Sequence, residues 1–246
     1  MALTAFKTEL QAISVPPLIV FTPTLANFFE VQERSDYLLY AKNSVITSVA
    51  STLLGLAIAA PAAYSMAFFR TRRTRDLLVW MLSTKMMPAV GALVPIYILA
   101  QKAGLLDSRL ALTLVFMLSN LPIMVWMLYS HFKDIPHEIL EAARMDGASG
   151  LRIFWHVTLP QLKPMMYFGV TLTVIGGLQL FEEPFILTGG KGGIEYAGMT
   201  TAMYMYRTAF EFNDFGLASA ISWLLFAVIL VLTLVTNRAF KLKGGA

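Results

Sequence analysis

Residues able to do chemistry are scarce in this chain of 246 amino acids, and they are unevenly placed. Its three histidines, His131, His137 and His156, fall in one stretch without the spacing of a metal site. There is no cysteine, which excludes disulfide frameworks, thiolate-bound zinc or iron–sulfur clusters and thiol nucleophiles. No G-x-x-x-x-G-K-[ST] phosphate loop occurs. Gly189-Gly190-Lys191-Gly192-Gly193 has the glycines but neither the spacing nor the hydroxyl residue that would sit on magnesium. What remains are charges in unusual surroundings. Lys85 is the one charge in an apolar run, Glu182 and Glu183 close another, and Glu138 and Glu141 lie between Pro136 and Asp146-Gly147. Such charges bind, dock or gate, and they do not make up a catalytic set.

The elements that hold them are set by composition. Hydrophobic residues make up 57% and charged residues 14%, where soluble domains run at about 45–50% and about 25%. With a mean hydropathy of +0.65, the excess is too large for one soluble core and points to lipid. A net charge of +4 would suggest nucleic acid in a soluble protein, but its distribution favours a membrane and no nucleic-acid partner is expected. Five runs carry no charge or almost none, and a hydrocarbon layer takes about 20 apolar residues to cross. They predict transmembrane helices at about 43–69, 77–101, 110–130, 164–188 and 215–237. Pro61, Pro88, Pro95 and Pro122 should be tolerated in them as kinks. The expected fold class is therefore an all-α integral membrane protein, a polytopic helical bundle.

Residues 1–42 are expected outside the membrane. Leu10 to Phe29 is uncharged, yet Pro16, Pro17 and Pro23 leave no helical hydrogen-bond ladder, so an extended surface segment is favoured over a sixth span. Positive residues gather in alternate loops. Arg70, Arg72, Arg73 and Arg75 follow the first span, Lys133, Arg144, Arg152 and Lys163 the third, and Arg238, Lys241 and Lys243 the fifth. Those segments, the C-terminus included, should face the cytoplasm. The N-terminal segment then lies on the opposite side. Either a preceding helix carries it across or, being short and weakly charged, it crosses unaided.

The longest inside loop, 131–163, contains Ile135-Pro136-His137-Glu138-Ile139-Leu140-Glu141-Ala142-Ala143-Arg144-Met145-Asp146-Gly147. It predicts a short helix, with Pro136 in its first turn, Glu138 and Glu141 toward its positive end, and Asp146-Gly147 as its stop. Ile139, Leu140 and Ala143 form an apolar face, and the small Ala142 and Ala143 permit close approach by another surface. A second helical stretch, Leu151 to Val157, leads through Thr158-Leu159-Pro160 into the fourth span. From these residues alone, the helix-turn-helix is either a docking element or an interfacial loop that ties two spans together.

The order Glu141-Ala142-Ala143, three residues, Gly147, nine residues, Val157, one residue, Leu159-Pro160 resembles the Glu-Ala-Ala signature of permease subunits of binding-protein-dependent ABC importers, with Val157 where isoleucine is usual. Asp146 and Ala148 around Gly147 look like the carbohydrate-importing, maltose-type branch. The resemblance covers nearly the whole chain. It takes in Phe6-Lys7-Thr8, Asn43-Ser44, Met87-Pro88, Val94-Pro95-Ile96-Tyr97, Gly104-Leu105-Leu106-Asp107, Phe181-Glu182-Glu183-Pro184-Phe185, Leu187-Thr188-Gly189-Gly190 and Ala218-Ser219-Ala220. Such subunits usually have six or more helices, so the family's first helix is expected to be missing from this sequence.

The resemblance implies a transport subunit in a bacterial-type cytoplasmic membrane, with no enzyme activity or cofactor of its own. ATP and magnesium would belong to two partner ATP-binding subunits. It further implies a second permease subunit, an extracytoplasmic solute-binding protein, and a carbohydrate as cargo, with lipid around the helices. Glu141, Ala142, Ala143, Asp146, Gly147, Leu159 and Pro160 become the ATPase-coupling residues. Lys85, Asn120, Gln179, Glu182, Glu183 and Trp223 are candidates for the solute path. Each has a plainer reading: Lys85 can snorkel, Glu182 and Glu183 can be hydrated at a helix end, and Asn120, Gln179 and Trp223 can bridge helices. A gradient-driven carrier is the alternative function, served by the broken-helix signal Gly176-Gly177. The internal repeat such a carrier would show is not evident.

Overall fold

Apolar runs in lipid must close their backbone hydrogen bonds within the segment, and most of the described residues are helical. The structure, a computed structural model, describes residues 3–69, 71–87 and 89–240, and no strand occurs among them. Arg70, Lys241 and Lys243, expected as loop and terminal charges, and Pro88, expected as a kink, lie outside the described residues. The main helices are α1 (Ala26–Glu33), α2 (Tyr37–Phe68), α3 (Thr74–Lys85), α4 (Ala89–Lys102), α5 (Arg109–Lys133), α6 (His137–Met145), α7 (Lys163–Leu178), α8 (Glu182–Leu187), α9 (Thr201–Phe210) and α10 (Phe215–Phe240).

Three of them, α2, α5 and α10, are long and apolar enough to cross a membrane. Pro61 and Pro122 lie inside α2 and α5, and Pro95 inside α4, as expected for kinks among packed neighbours. The expected spans at 77–101 and 164–188 are helical but interrupted. The first is divided between α3 and α4, consistent with the bias against helix that a proline imposes on the residue before it. The second ends at Leu178 and resumes at Glu182. The first expected span begins earlier than its charge-free run, because α2 starts at Tyr37 and carries Lys42 on an exposed face.

The centre of the bundle is the α2–α5 pair, against which α7 also packs. One stripe of α2, comprising Asn43, Ser44, Thr47, Ser48, Ser51 and Thr52, is no more than 1% exposed. Small side chains at i, i+4 and i+8 let backbones approach, and their hydroxyls find nearby carbonyls. Ser48 Oγ donates to the Val174 carbonyl at 2.9 Å, across to α7. The hydroxyls of Ser51 and Thr52 return to the Ser48 carbonyl at 3.0 and 2.7 Å. A Cβ on Gly177 would stand 2.5 Å from Ser48 Oγ and 2.9 Å from the Phe116 ring, so this crossing requires glycine.

Each end of the bundle has its own core. At the loop end, Ala59, Ala63, Leu128 and Phe132 pack with Leu140, Ile153 and Leu162 of the 131–163 loop. At the opposite end, Ala5, Val31, Tyr37, Met199, Met203 and Ile221 join the N-terminal segment to α9 and α10. That segment is anchored as well as extended. No helix forms from Ile13 to Leu25, and Val15, Ile19 and Val20 are exposed there. On either side, however, Asn27 Nδ2 donates to the Ala5 and Lys7 carbonyls at 2.9 and 2.8 Å. The Glu9 carboxylate accepts from the Phe215 and Gly216 amides at 3.3 and 3.0 Å, closing the start of α10.

Candidate functional site

The 131–163 loop is built so that part of it is core and part is free. Leu140 and Ile135 are 3% and 6% exposed and hold α6 onto the bundle. Glu138, Ile139, Glu141, Ala142 and Arg144 are exposed, and Met145 is 89% exposed. Ala143 is half-buried and packs on the Leu140 side, leaving Ala142 as the small residue on the outer face. The helix stop is fully formed. The Gly147 amide donates to the Arg144 carbonyl and the Ala148 amide to the Ala143 carbonyl, both at 3.0 Å, the paired bonds of a Schellman ending. Gly147 has φ +77°, and a Cβ there would meet nothing within 4 Å, so the turn and not a lack of space requires glycine. Asp146 is exposed at the cap position.

Beyond the turn, the Ser149 hydroxyl caps Gly150–Ile153 by accepting from the Arg152 amide at 3.4 Å. A π-helical turn, Phe154–Thr158, and the short helix Leu159–Gln161 continue into α7. Leu159 is half-buried and Pro160 exposed, at the joint between the loop and α7. Tyr64 of α2 ties the loop to the helices edge-on, its ring 5.6 Å from Phe132 of α5 and 5.0 Å from Phe154. A displacement of the loop would therefore be felt by α2 and α5 directly. An apolar groove of about 710 Å³ runs alongside, lined by Leu53, Tyr64, Leu151, Phe154, Trp155 and Met166 among others.

The second group of expected residues is only partly gathered. Lys85 is the last residue of α3 and is exposed, and Gln179, Glu182 and Glu183 sit at the interruption between α7 and α8. α4 and α8 meet through Leu93 and Leu187 over Leu112 and Val115 of α5. Lys85 and Glu183 carry opposite charges. No ion pair joins them among the described residues. Asn120 and Trp223 are engaged elsewhere. Asn120 Nδ2 donates to the Phe116 carbonyl of its own helix at 2.9 Å. Trp223 lies edge-on to Phe6 and Phe226 at 6.4 and 5.9 Å.

Two features escaped the sequence reading. Thr200 is fully buried, donates to the Leu180 carbonyl at 2.7 Å and accepts from the Met203 amide at 3.2 Å. It thus closes the interruption before α8 and caps α9 at once, and nothing local in its sequence marks that pairing. Asn43 reaches the carbonyls of Tyr196 and Met199 at 2.8 and 3.1 Å. Its signal was visible, since a polar stripe at helical spacing in an apolar run marks a helix-packing face.

The described helices make a membrane bundle from which the 131–163 loop presents a short, sharply stopped helix. The chain belongs to the family of binding-protein-dependent transport system inner membrane components, whose family model matches residues 10–242. It is similar to the probable ABC transporter permease protein y4oR of Sinorhizobium fredii, 35% identical over 188 residues, covering 76% of this chain and 68% of that protein. It is also similar to the maltodextrin transport system permease protein MdxG of Bacillus subtilis, 34% identical over 162 residues, covering 66% and 56%. A third relative is the diacetylchitobiose uptake system permease protein NgcG of Streptomyces coelicolor, 30% identical over 185 residues, covering 75% and 61%. The matched part is thus less than two thirds of the length of the last two. Among solved structures, a chain of a bacterial ABC transporter involved in the import of the acidic polysaccharide alginate has TM-score 0.73 at 21% identity, covering 98% of this chain and 88% of that one. A chain of the inward-facing MetNI methionine ABC transporter has TM-score 0.63 at 16% identity, covering 83% and 93%. At these identities the likeness is one of fold.

Proposed function

We propose that this chain is the permease subunit of an ATP-driven importer that moves a carbohydrate across the cytoplasmic membrane. The observation that carries the reading is α6: Leu140 fixes it to the bundle, Gly147 stops it, and Glu138, Glu141, Ala142 and Met145 are left exposed with no partner among the described residues. A surface with an exposed methionine, a small residue and two carboxylates on a rigid support suits a cleft on a separate ATP-binding subunit. Carbohydrate as cargo follows from relatives named for maltodextrin and diacetylchitobiose. ATP and magnesium are then handled by two partner subunits, and this chain performs no hydrolysis. A second permease subunit completes the path. A solute-binding protein delivers cargo on the opposite side. The loop end and the C-terminus face the cytoplasm in this arrangement, in keeping with the arginines and lysines gathered there.

Affinity purification of the tagged chain from its native membrane in mild detergent, with mass spectrometry of co-purifying proteins, tests the reading. An ATP-binding subunit and a second permease are expected. The ATP-binding subunit should be lost when Glu141 is changed to Arg. Recovery of the chain alone after cross-linking, together with uptake that collapses with the ion gradient, would replace the importer with a gradient-driven carrier.

A further inference from the structure

Tyrosine hydroxyls withdrawn from bulk water normally find a partner, so a group of them left unpaired around a cavity asks for an explanation. At the end of the bundle opposite the 131–163 loop, a cavity of about 270 Å³ lies between the start of α2, α9 and the link from α9 to α10. Its floor is closed, with Tyr40, Met199, Tyr204, Thr208 and Leu217 each 8% exposed or less. Its rim is open, with Tyr196 44% and Phe212 60% exposed and the Arg34 side chain 53%. The Tyr40 ring packs against Tyr204 and Tyr196 with centroids 5.1 and 5.7 Å apart. The hydroxyls of these three tyrosines bond no protein group among the described residues. The charges at the cavity, by contrast, are already paired. Arg34 holds Glu30 and, at 2.8 Å, Asp214, while Arg207 holds Glu211 at 2.7 Å and lies over the Phe212 ring at 5.6 Å. An ion of either sign would have to break one of these pairs, whereas a neutral polyol can use the donors and acceptors they leave over.

We infer that this cavity is a carbohydrate subsite, which receives one neutral sugar ring on the extracytoplasmic side against Tyr40, Tyr196 and Tyr204, with Arg34, Arg207 and Asp214 fixing its orientation. The inference rests on the importer reading for its cargo and adds a place where that cargo is held. A pyranose has an apolar C–H face that covers an aromatic ring and hydroxyls at its edge that both donate and accept. Water can serve the tyrosine hydroxyls but gains little over the ring faces. Guanidinium and carboxylate groups held in place by one another can bond adjacent hydroxyls without reorganising. Size sets the limit at one ring, because the cavity falls just below the about 300 Å³ at which sites for drug-sized ligands begin. The further units of a longer glycan would lie outside the rim.

The absence of cysteine gives a clean test. Ser35, half-buried in the cavity wall, is changed in Ser35→Cys, and the complete transporter with its partner subunits is placed in lipid nanodiscs. Labelling of this chain by a small maleimide is read by intact mass, with glucose, N-acetylglucosamine, maltose or diacetylchitobiose present at concentrations well above the millimolar range that the few contacts of one ring allow. At least one sugar should slow labelling several-fold. The concentration giving half protection should rise about two- to tenfold in Tyr40→Phe, which removes one hydroxyl, and by a similar factor in Tyr196→Ala, which removes one ring face. Because the Tyr40 hydroxyl bonds no protein group, Tyr40→Phe should do this with an unchanged unfolding temperature, which a merely structural effect would not. Protection by none of the sugars would overturn the subsite, as would protection that both variants leave unaltered. Protection by choline or glucuronate instead would replace it with an ion site, and protection by the solute-binding protein alone would make the cavity a protein contact. ATP-driven uptake of the same sugars into liposomes separates the readings: uptake without protection rejects the subsite alone, and uptake of none rejects the importer and the subsite with it.

Discussion

Replacement of Gly147 separates backbone geometry from surface chemistry. Its φ of +77° lies in the left-handed region, and a new Cβ would touch nothing within 4 Å, so the cost of a side chain is conformational alone. For an ordinary L-residue that cost is about 1–2 kcal/mol, less for asparagine or aspartate and more for a β-branched residue. At 1.4 kcal/mol per tenfold, the correctly stopped form of α6 falls about 5- to 30-fold relative to alternatives in Gly147→Ala, further in Gly147→Val, and only a few-fold in Gly147→Asn. If α6 is the docking helix, the affinity of the ATP-binding subunit should follow that order. Gly147→Asp shares the asparagine shape and adds one charge beside Asp146, so its difference from Gly147→Asn measures the electrostatics of the docked surface. Co-purification yield, ATP-driven uptake and thermal unfolding of the isolated subunit are measured on all four variants. The expected pattern is a graded loss of coupling with little loss of subunit stability, because Gly147 is exposed and packs on nothing. Full coupling in Gly147→Val, or equal loss in Gly147→Asn and Gly147→Val, would refute the assignment of the turn.

Gly177→Ala places a methyl group 2.5 Å from Ser48 Oγ and 2.9 Å from the Phe116 ring, and should lower stability in detergent by about 1–3 kcal/mol as an overpacked core does. Ser48→Gly in the same chain should restore part of this, since the Phe116 contact remains. Thr200→Val removes the donor to the Leu180 carbonyl and the cap of α9; a loss of about 1–3 kcal/mol is expected by thermal unfolding, with Thr200→Ser near wild type. Glu9 titrates above its ordinary value of 4.5, chiefly because burial disfavours its charge, reinforced by Asp214 and opposed by the Gly216 and Phe215 amides. A raised carboxyl pKa means the folded state holds the proton more tightly than the unfolded one. This contribution is therefore full below about pH 4.5 and is lost as pH rises through the folded value. In Glu9→Gln, the fall in unfolding temperature over that window should be smaller than in wild type, and an unchanged profile would count against the assignment.

Much of the fold was legible because lipid imposes a simple rule, that long apolar runs become helices. The runs at 43–69, 110–130 and 215–237 became α2, α5 and α10. The pattern Pro136, Glu138, Leu140, Ala143, Asp146-Gly147 likewise encodes a local object, a short helix with a Schellman stop, whose start and end depend on neighbours within a few residues. Family membership was legible for the same reason, since the signature is contiguous. The interruptions were less legible. A charge-free run looks the same whether one helix crosses it or two meet in it. The gap between Leu178 and Glu182 is tolerated because Thr200, twenty residues later, supplies the donor for the Leu180 carbonyl.

Placement relative to other elements was beyond the sequence. Lys85 and the two glutamates lie in separate apolar runs, and the packing of α4 on α8 over α5 is a contact that neither run announces. Asn120 and Trp223 looked equally suited to a solute, but Asn120 bonds within its own helix and Trp223 meets Phe6 of the N-terminal segment. Sequence alone determined that the chain is a helical membrane subunit and where the short helix of its 131–163 loop begins and stops, because hydropathy and helix capping act over a few neighbouring residues. The tertiary structure decided which face of that helix is free and which helices pack on one another, because both depend on contacts between residues distant in the chain.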